Sequence, residues 1–388
     1  MHRYTTSLPC GEGAYGIVLK ATLRETGATV AIKKLTYTKF YSFDDCLLLR
    51  EVQALRRLRH QNIVKLKELI RDQDILYMVL EYVDTTLDRW LKEQSSAPPE
   101  PTVQGIACKL MNALKYMHAQ GFVHRDIKPQ NILVSDDLRD VKLCDFGIAR
   151  QTRSATEKEL TEYVTTRWYR APEILLRSSS YSLPVDIWAA AAIIAECFTR
   201  QPIFPGNSEA DQIERIAHIL GKPHDSSMHG GSAWKQGHTL MNAAGGSFPE
   251  CGPMPLGQLV PNAGSDALDL LASTLRWDPS RRLTASQSLR HSFLRSSPWR
   301  DHTPPASRPP LPSGHSGNAG AEEADDSSPF ALSPSLLRSA LVGWARRRVN
   351  RLSALPADAQ PNPVGQPDPV KVADPDAEPP QYTNDFEA

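Results

Sequence analysis

The residues best suited to chemistry lie in one stretch, from His124 to Glu173. It reads HRDIKPQN, then CDFG, then TEYVTTRWYRAPE. Asp126 could act as a base, Asp145 could bind a metal ion, and the last segment carries a threonine and a tyrosine. Transfer of a phosphoryl group needs a residue that positions the attacking hydroxyl, oxygen ligands for Mg²⁺, and a loop that holds the acceptor. The stretch therefore indicates phosphoryl-transfer chemistry.

Four residues of this stretch are predicted to do the chemistry. Asp126 would accept or orient the proton of a substrate hydroxyl. Lys128 would neutralise charge on the transferred group, and Asn131 and Asp145 would hold Mg²⁺ through oxygen atoms. HRD followed by Asn131, then DFG, then APE, is the motif set of protein kinases in its usual order. The sequence thus resembles the eukaryotic protein kinases, in particular the branch of mitogen-activated and cyclin-dependent kinases. Lys128 at this spacing is typical of serine/threonine-specific members.

Upstream residues add a nucleotide-binding pattern. GEGAYGIV has the spacing GxGxxGxV, in which glycines let a hairpin lie close over phosphates. The VAIK sequence that follows supplies Lys33, which is expected to contact the α- and β-phosphates of ATP. Glu51, on one helix predicted over residues 43–59, is the best partner for Lys33. The sequence therefore predicts ATP and Mg²⁺ as cofactors.

The kinase resemblance also implies the adenine pocket. Leu80 would lie at its back, and the backbone of Glu81 and Val83 would bond the adenine edge. The positions that the resemblance assigns to ATP are Gly11, Glu12, Gly13, Gly16, Val18, Ala31, Lys33, Leu80, Glu81, Val83, Leu133 and Cys144.

Regulation is predicted between DFG and APE, where Thr161-Glu162-Tyr163 matches the TxY pattern of mitogen-activated kinases. Each phosphate would add nearly two negative charges that arginines can pair, so that added charge orders the segment. The arginines expected to clamp these phosphates are Arg50, Arg125, Arg167 and Arg170. Thr166 is expected to hydrogen-bond Asp126.

Three further residues have structural roles by the same resemblance. Glu173 is expected to pair with Arg282 of WDPSRRLTA within the large lobe. Asp186 opens the sequence DIWAAAA and is assigned a structural role with them.

Apolar periodicity predicts the fold. The first 80 or so residues contain short strand-like runs, whereas amphipathic and fully apolar helical patterns dominate from about Thr85. We predict an α+β bilobal kinase fold, with a small antiparallel-sheet lobe that has one main helix and a larger, mostly helical lobe. The predicted boundaries are 1–83 for the small lobe and hinge, 84–295 for the large lobe and 296–388 for a tail.

The tail holds about half of the chain's 31 prolines and is predicted to be disordered. One run, residues 336–352, could form a short amphipathic helix with an apolar face beside arginines. It has two interpretations: a membrane- or partner-binding helix, or a transient solvated helix.

Composition excludes several classes. The chain of 388 residues has 44 basic and 44 acidic residues, so no net charge favours nucleic acid or an anionic membrane. Its six cysteines form no CxxC pair, which argues against a zinc site and indicates a reducing compartment. We find no secretory signal, lipidation motif or membrane span. A monomeric, cytoplasmic protein is expected.

A narrower resemblance comes from MHRYTTSLPCGEGAYG, KFYSFDDCLLLREV, YMHAQGFVHRDIKP and IFPGNSEADQI. These segments resemble the RCK group, the male germ cell-associated, intestinal-cell and MOK kinases, over about residues 1–295. That group implies autophosphorylation on the tyrosine, an upstream kinase for the threonine, and substrates with proline or small residues near the acceptor, often with an upstream arginine. It also implies action at a cilium, flagellum or basal body, with the nucleus as another compartment. Ala191 stands where the group has glycine, and residues 221–246 keep little of its sequence.

Two alternatives remain open. One is a conventional mitogen-activated kinase at the end of a cascade, which would need an acidic docking patch such as EEADD at 322–326. The other is a catalytically inert scaffold, which predicts no ATP hydrolysis despite the presence of Lys33, Asp126 and Asp145.

Overall fold

The computed structural model describes residues 1–13, 16–35, 42–151, 167–178, 182–223 and 234–297. These lie in the first of two units, Met1–Glu323, and the second unit, Ala324–Ala388, is outside the described residues. Thr161, Tyr163, Thr166 and the helix predicted over 336–352 are also outside them. The prediction of a disordered tail therefore stays a prediction.

A five-stranded antiparallel sheet forms most of the small lobe, in the order β1-β2-β3-β5-β4. β-branched and apolar residues alternate along its central strand and bury one face, which favours extended backbone. The five strands are β1 (Tyr4–Gly13), β2 (Gly16–Leu23), β3 (Thr29–Leu35), β4 (Leu66–Asp72) and β5 (Ile75–Glu81).

The helical part of the small lobe differs from the prediction. The single helix over 43–59 is wrong, because the structure has α1 (Phe43–Leu47) and α2 (Arg50–Arg57). Ser42 caps the first helix in a capping box, and extended backbone at Leu49 (ψ 132°) separates the two. A continuous helix would spread the run CLLL around its circumference. The break instead lets both short helices bury apolar side chains in one core.

The large lobe is mostly helical, as predicted. Its short strands are β6 (Thr85–Thr86), β7 (Phe122–Val123), β8 (Ile132–Val134), β9 (Val141–Leu143) and β10 (Arg150–Gln151). Its helices are α3 (Leu87–Glu93), α4 (Glu100–Ala119), α5 (Pro172–Leu175), α6 (Pro184–Thr199), α7 (Glu209–Leu220), α8 (Lys235–Ala243), α9 (Leu256–Leu259), α10 (Ser265–Thr274), α11 (Ala285–Ser288) and α12 (Ser292–Arg295). Two 3₁₀ turns span Pro129–Asn131 and Pro279–Arg281.

The core of this lobe is helix α6, which is buried on nearly all sides, as its apolar sequence predicts. Trp188 of α6 stacks on Phe204 at 5.5 Å between ring centroids. Ala191 is fully buried, so the methyl group that replaces the hydrogen of glycine is accommodated in the packing. Helix α4 packs on α6 and ends before Gly121, whose positive φ of 75° suits the helix stop that the sequence predicts.

The bilobal α+β prediction is thus confirmed. Within the described ranges, we find no helix with the length and apolar character that a membrane crossing requires.

Candidate active site

The cleft between the two lobes contains a buried ionic triad. Lys33 Nζ of β3 lies 2.8 Å from both carboxylate oxygens of Glu51 on α2 and 3.3 Å from Asp145 Oδ1. Only 8% of Lys33 and 7% of Glu51 is exposed. One ammonium group therefore joins a strand and a helix of the small lobe to the DFG segment of the large lobe.

The electrostatics of this triad keep its lysine charged. Burial disfavours the ammonium form, but the carboxylates of Glu51 and Asp145 outweigh it and raise the pKa of Lys33. Burial raises the pKa of Glu51, whereas Lys33 and His124 overcome the burial of Asp145 and hold its pKa below the usual range. An ionised Asp145 and a cationic Lys33 are the states that binding of a metal ion and phosphates requires.

The segment HRDIKPQN, residues 124–131, is the catalytic loop, and it places two predicted residues around the carboxylate of Asp126. Lys128 Nζ lies 2.8 Å from Asp126 Oδ2. Asn131, at the end of the first 3₁₀ turn, donates its amide to the backbone oxygen of Asp126 at 2.8 Å and to Asp126 Oδ2 at 3.1 Å. Asp126 therefore has a fixed orientation next to a cationic group.

Asp186 of α6 holds the backbone of this loop. Its carboxylate accepts hydrogen bonds from the N–H groups of His124 and Arg125, each at 2.9 Å. His118 of α4 also contacts it through Nε2 at 2.9 Å. Arg125 has a positive φ of 75°, which is unfavourable for a residue with a side chain. These bonds show how the fold maintains that conformation.

The loop is also joined to the DFG segment. His124 Nε2 lies 3.0 Å from the backbone oxygen of Cys144, and its ring packs edge-on against Phe146 at 4.9 Å. The N–H of Cys144 donates to the backbone oxygen of Asn131 at 2.9 Å. Burial raises the pKa of the Cys144 thiol, so its neutral form is favoured.

The sheet of the small lobe carries most of the residues that the sequence predicts for nucleotide binding. In the hairpin of β1 and β2, Gly11 pairs with Val18 and Gly13 with Gly16, and Glu12 lies between these pairs. Gly16 has φ 141°, and a Cβ there would overlap the backbone oxygen of Lys34. This position therefore requires glycine because of the protein itself, before any phosphate is considered.

The other residues predicted to contact the nucleotide lie on β3, β5, β8 and the connection between the lobes. Ala31 and Leu80 are direct cross-strand partners, so their side chains share one face of the sheet. Glu81 ends β5, and its N–H donates to the backbone oxygen of Lys65. Val83 follows two residues later, in the connection to the large lobe, and Leu133 lies half-buried on β8.

The arginines assigned to the activation segment lie at several places. Arg50 is exposed at the start of α2, and Arg125 is half-buried beside Asp126. Arg167 Nε is buried and has no hydrogen-bond partner among the described residues. Arg170 lies 4.0 Å from Glu209, and burial together with Arg167 lowers the pKa of Arg170. Because the two guanidinium groups lie close enough for Arg167 to lower the pKa of Arg170, this place suits an anion.

Glu173 and Arg282 form a bidentate buried pair. Both distances between guanidinium nitrogen and carboxylate oxygen are 2.7 Å. Arg282 also donates to the backbone oxygens of Pro184, Arg276 and Trp277, so its nitrogens are well satisfied. The pair joins α5 to the 3₁₀ turn at Pro279–Arg281 and to the start of α6.

The donors at Asn131 and Asp145 fit Mg²⁺. Because the Asn131 amide nitrogen donates to Asp126, its oxygen remains available for a cation. Asp145 adds an ionised carboxylate. Mg²⁺ is usually bound by one or two such side chains together with substrate phosphates. No group of three or more His, Cys, Asp or Glu side chains that could hold a metal occurs within the described ranges, which is compatible with this scheme.

Sequence reasoning missed three residues near the site. His118 contacts Asp186, and Glu196 of α6 accepts a 2.7 Å hydrogen bond from the Tyr169 hydroxyl. Gln212 of α7 is fully buried and donates to the backbone oxygen of Trp168. A usable signal exists for Glu196 alone, because an acidic residue within an apolar, fully buried helix needs a polar partner.

Together, two lobes, a lysine–glutamate–aspartate triad and an oriented catalytic-loop aspartate define the class of protein kinases. The chain belongs to this family, because the family model described as "Protein kinase domain" matches residues 4–294.

Several curated serine/threonine and cyclin-dependent kinases are similar to this chain in sequence. Serine/threonine-protein kinase MAK from Mus musculus is 45% identical over 295 residues, which make up 76% of this chain and 46% of the relative. Serine/threonine-protein kinase ICK from Mus musculus is 46% identical over 76% of this chain and 45% of the relative. Cyclin-dependent kinase F-4 from Oryza sativa is 43% identical over 76% of this chain and 62% of the relative. The chain spans about half the length of the first two relatives. The predicted similarity to the RCK group is confirmed.

Proposed function

We propose that this protein transfers the γ-phosphate of ATP to serine or threonine residues of protein substrates. The observation that carries the proposal is the contact of Lys33 with both Glu51 and Asp145, because it assembles the phosphate-binding cation and the metal-binding carboxylate at one place. The names of the similar proteins, which are serine/threonine-protein kinases, support the same substrate class.

Each residue has a defined task in this reaction. ATP would supply the phosphoryl group, and Mg²⁺, when bound, would neutralise its charge. Lys33, held by Glu51, orients the phosphates, and Asn131 and Asp145 hold the metal ion. Asp126 orients the substrate hydroxyl and accepts its proton, while Lys128 stabilises charge that develops on the transferred group. The twelve residues assigned to ATP binding from the sequence would surround its adenine and phosphates.

A radiolabelled-phosphate assay tests this proposal. Lys33→Ala and Asp126→Asn should each reduce transfer to a protein substrate by at least about a thousandfold. Lys34→Ala, a change to the neighbouring lysine on the same strand, is the matched control and should retain activity. Wild-type protein that transfers no label after activation would favour the inert-scaffold alternative.

We further propose that phosphorylation of Thr161 and Tyr163 activates the enzyme. Arg125 of the catalytic loop supports this proposal, as do Arg167 and Arg170, because all three supply cationic groups for phosphate. Mass spectrometry of purified protein incubated with ATP, with and without an upstream kinase, tests it. Modification of Tyr163 without an added kinase supports self-priming of the RCK type. Activity that needs an added kinase at both sites favours the cascade alternative.

The proposal also covers the substrate preference and the cellular location of the protein. We expect a preference for proline after the acceptor, which peptides that differ only in Ser-Pro against Ser-Ala would measure. The resemblance to the RCK group also leads us to propose that the protein acts in the control of cilium or flagellum length, and we expect it to be a cytoplasmic monomer. Ciliary length in cells that express wild type or Asp126→Asn tests this role, and equal lengths would contradict it.

A further inference from the structure

A closed ring of hydrogen bonds connects helix α7 to residues beside the catalytic loop. The indole Nε1 of Trp168 donates to the backbone oxygen of Gly206 at 3.1 Å. The N–H of Gly206 donates to Gln212 Oε1 at 3.0 Å, and Gln212 Nε2 donates to the backbone oxygen of Trp168 at 3.3 Å. Each of the three residues thus both donates and accepts within the ring.

Because the ring is largely buried, the loss of one of its hydrogen bonds should be costly in free energy. Gln212 has no exposed surface, and Gly206 is buried. Loss of the amide would leave the Trp168 carbonyl without this donor, which costs free energy. The Gly206 N–H would keep only its hydrogen bond to the backbone oxygen of Phe204 at 3.0 Å. A Cβ at Gly206 would lie 2.6 Å from the Cα of Gln212, so the close approach needs glycine.

The ring supports the wall of the catalytic cavity. A cavity beside Asp126 and Lys128 is lined by Tyr169 and Arg170, the two residues that follow Trp168. The side chain of Tyr169 is held by its hydrogen bond to Glu196 of α6. The backbone just before it, at Trp168, is held by Gln212 of α7. Arg170 is half-buried, so a peptide whose hydroxyl reaches Asp126 is expected to pass close to it, whereas Tyr169 is only 5% exposed and supports Arg170 from the interior.

We propose that Gln212 is a positioning residue for the peptide substrate, which acts by fixing the backbone at Trp168 so that Tyr169 and Arg170 keep the shape of the substrate wall. Its fully buried side chain bonds Gly206 and Trp168, and we assign it no contact with the nucleotide or the transferred group. The inference rests on the proposed kinase function and assigns a specificity role to a side chain outside the catalytic motifs.

The test compares Gln212→Met with Thr274→Val in the full-length protein. Methionine keeps the length of glutamine but lacks both polar atoms. Thr274 is equally buried, and its hydroxyl bonds the backbone oxygen of Leu270 on α10 at 2.7 Å, so its change removes a buried hydrogen bond elsewhere in the same lobe. Phosphorylation of the variants is matched by mass spectrometry before comparison.

For Gln212→Met we expect kcat/KM for a serine peptide to fall about tenfold, the size of one or two lost neutral hydrogen bonds. KM for ATP and the slow hydrolysis of ATP by water should stay unchanged. Gly206→Ala should reproduce this pattern, and Gln212→Glu should restore only part of the activity, because it keeps the acceptor for Gly206 alone. Thr274→Val should lower Tm comparably without changing peptide kinetics.

Amide hydrogen exchange provides a readout that needs no activity. Residues 167–178 should exchange faster in Gln212→Met than in wild type or Thr274→Val. Equal loss of peptide transfer and ATP hydrolysis, or unchanged exchange in this segment, would overturn the inference. A wild type that is inactive, yet shows the expected exchange difference, would refute the proposed function and leave the positioning of the segment by Gln212 supported.

Discussion

Asp186 accepts a 2.9 Å hydrogen bond from the backbone N–H of Arg125, a residue whose φ is 75°. A buried carboxylate on the central helix therefore stabilises an unfavourable backbone conformation one residue before the catalytic aspartate. A strained conformation persists only where surrounding contacts determine it. The orientation of Asp126 depends in this way on a residue sixty positions further along the chain.

Asp186→Asn should lower both activity and stability, because an amide has only one oxygen and cannot accept both backbone N–H groups as the carboxylate does. We expect kcat to fall about tenfold to a hundredfold through misplacement of Asp126. The free energy of unfolding should fall by about 1–3 kcal/mol. Peptide kinetics and urea denaturation measure the two effects. Asp266→Asn, at an exposed position of α10, is the control and should behave as wild type. Unchanged kcat in Asp186→Asn would contradict this prediction.

Gly16→Ala and Gly11→Ala should separate two roles of glycine in the hairpin. An alanine at position 16 would overlap the Lys34 backbone at a positive φ, so Tm should fall even without nucleotide. At position 11 the nearest atom to a new Cβ would be Val18 Cβ at 3.7 Å, an ordinary contact, so Tm should be unchanged. Differential scanning fluorimetry with and without MgATP measures both. A smaller Tm shift by MgATP in Gly11→Ala would show that its cost arises at the nucleotide, and equal Tm losses in both variants would contradict this separation.

The buried pair of Glu173 and Arg282 should be strongly coupled in stability. Glu173→Gln leaves a buried guanidinium without its carboxylate, and we expect a loss of about 3–5 kcal/mol in the free energy of unfolding. The double variant with Arg282→Met should be more stable than the sum of the single changes, by at least about 1 kcal/mol. Urea denaturation measures the cycle. Arg281→Met, at the exposed neighbouring position, should cost little, and additive losses in the cycle would argue against coupling.

Glu196 should make stability depend on pH near neutrality. Burial raises its pKa to about 7, and Asp88 adds to this, although the hydrogen bond from Tyr169 opposes it. The folded protein therefore holds the proton more tightly than the unfolded chain does. This stabilisation is complete below the ordinary pKa of 4.5 and is lost as the pH rises through about 7.

The corresponding measurement is Tm between about pH 6 and about pH 8. The Tm of wild type should fall over this range relative to that of Glu196→Gln, which cannot ionise. Tyr169→Phe removes the hydrogen bond that lowers the pKa, so it should extend the region of high Tm to higher pH. Parallel curves for wild type and Glu196→Gln would show that Glu196 does not titrate in this range.

The sequence by itself determined the class of the protein and the residues of the catalytic loop. Asp126, Lys128 and Asn131 are neighbours in the chain, so a short turn is sufficient to bring them together, and their spacing predicts their contacts. The fully apolar pattern of α6 likewise determined its burial, because a helix without a polar face must lie in a core.

The tertiary structure alone decided the contacts between distant segments and the break between α1 and α2. Lys33 and Asp145 are 112 positions apart, and Gln212 and Trp168 are 44 apart. No local periodicity encodes such pairs, because they depend on how strands and helices pack. The helix break has the same origin: local propensity favours a continuous helix, but burial of apolar side chains from both halves favours two. Packing free energy outweighed intrinsic preference at that position, and only the folded chain shows it.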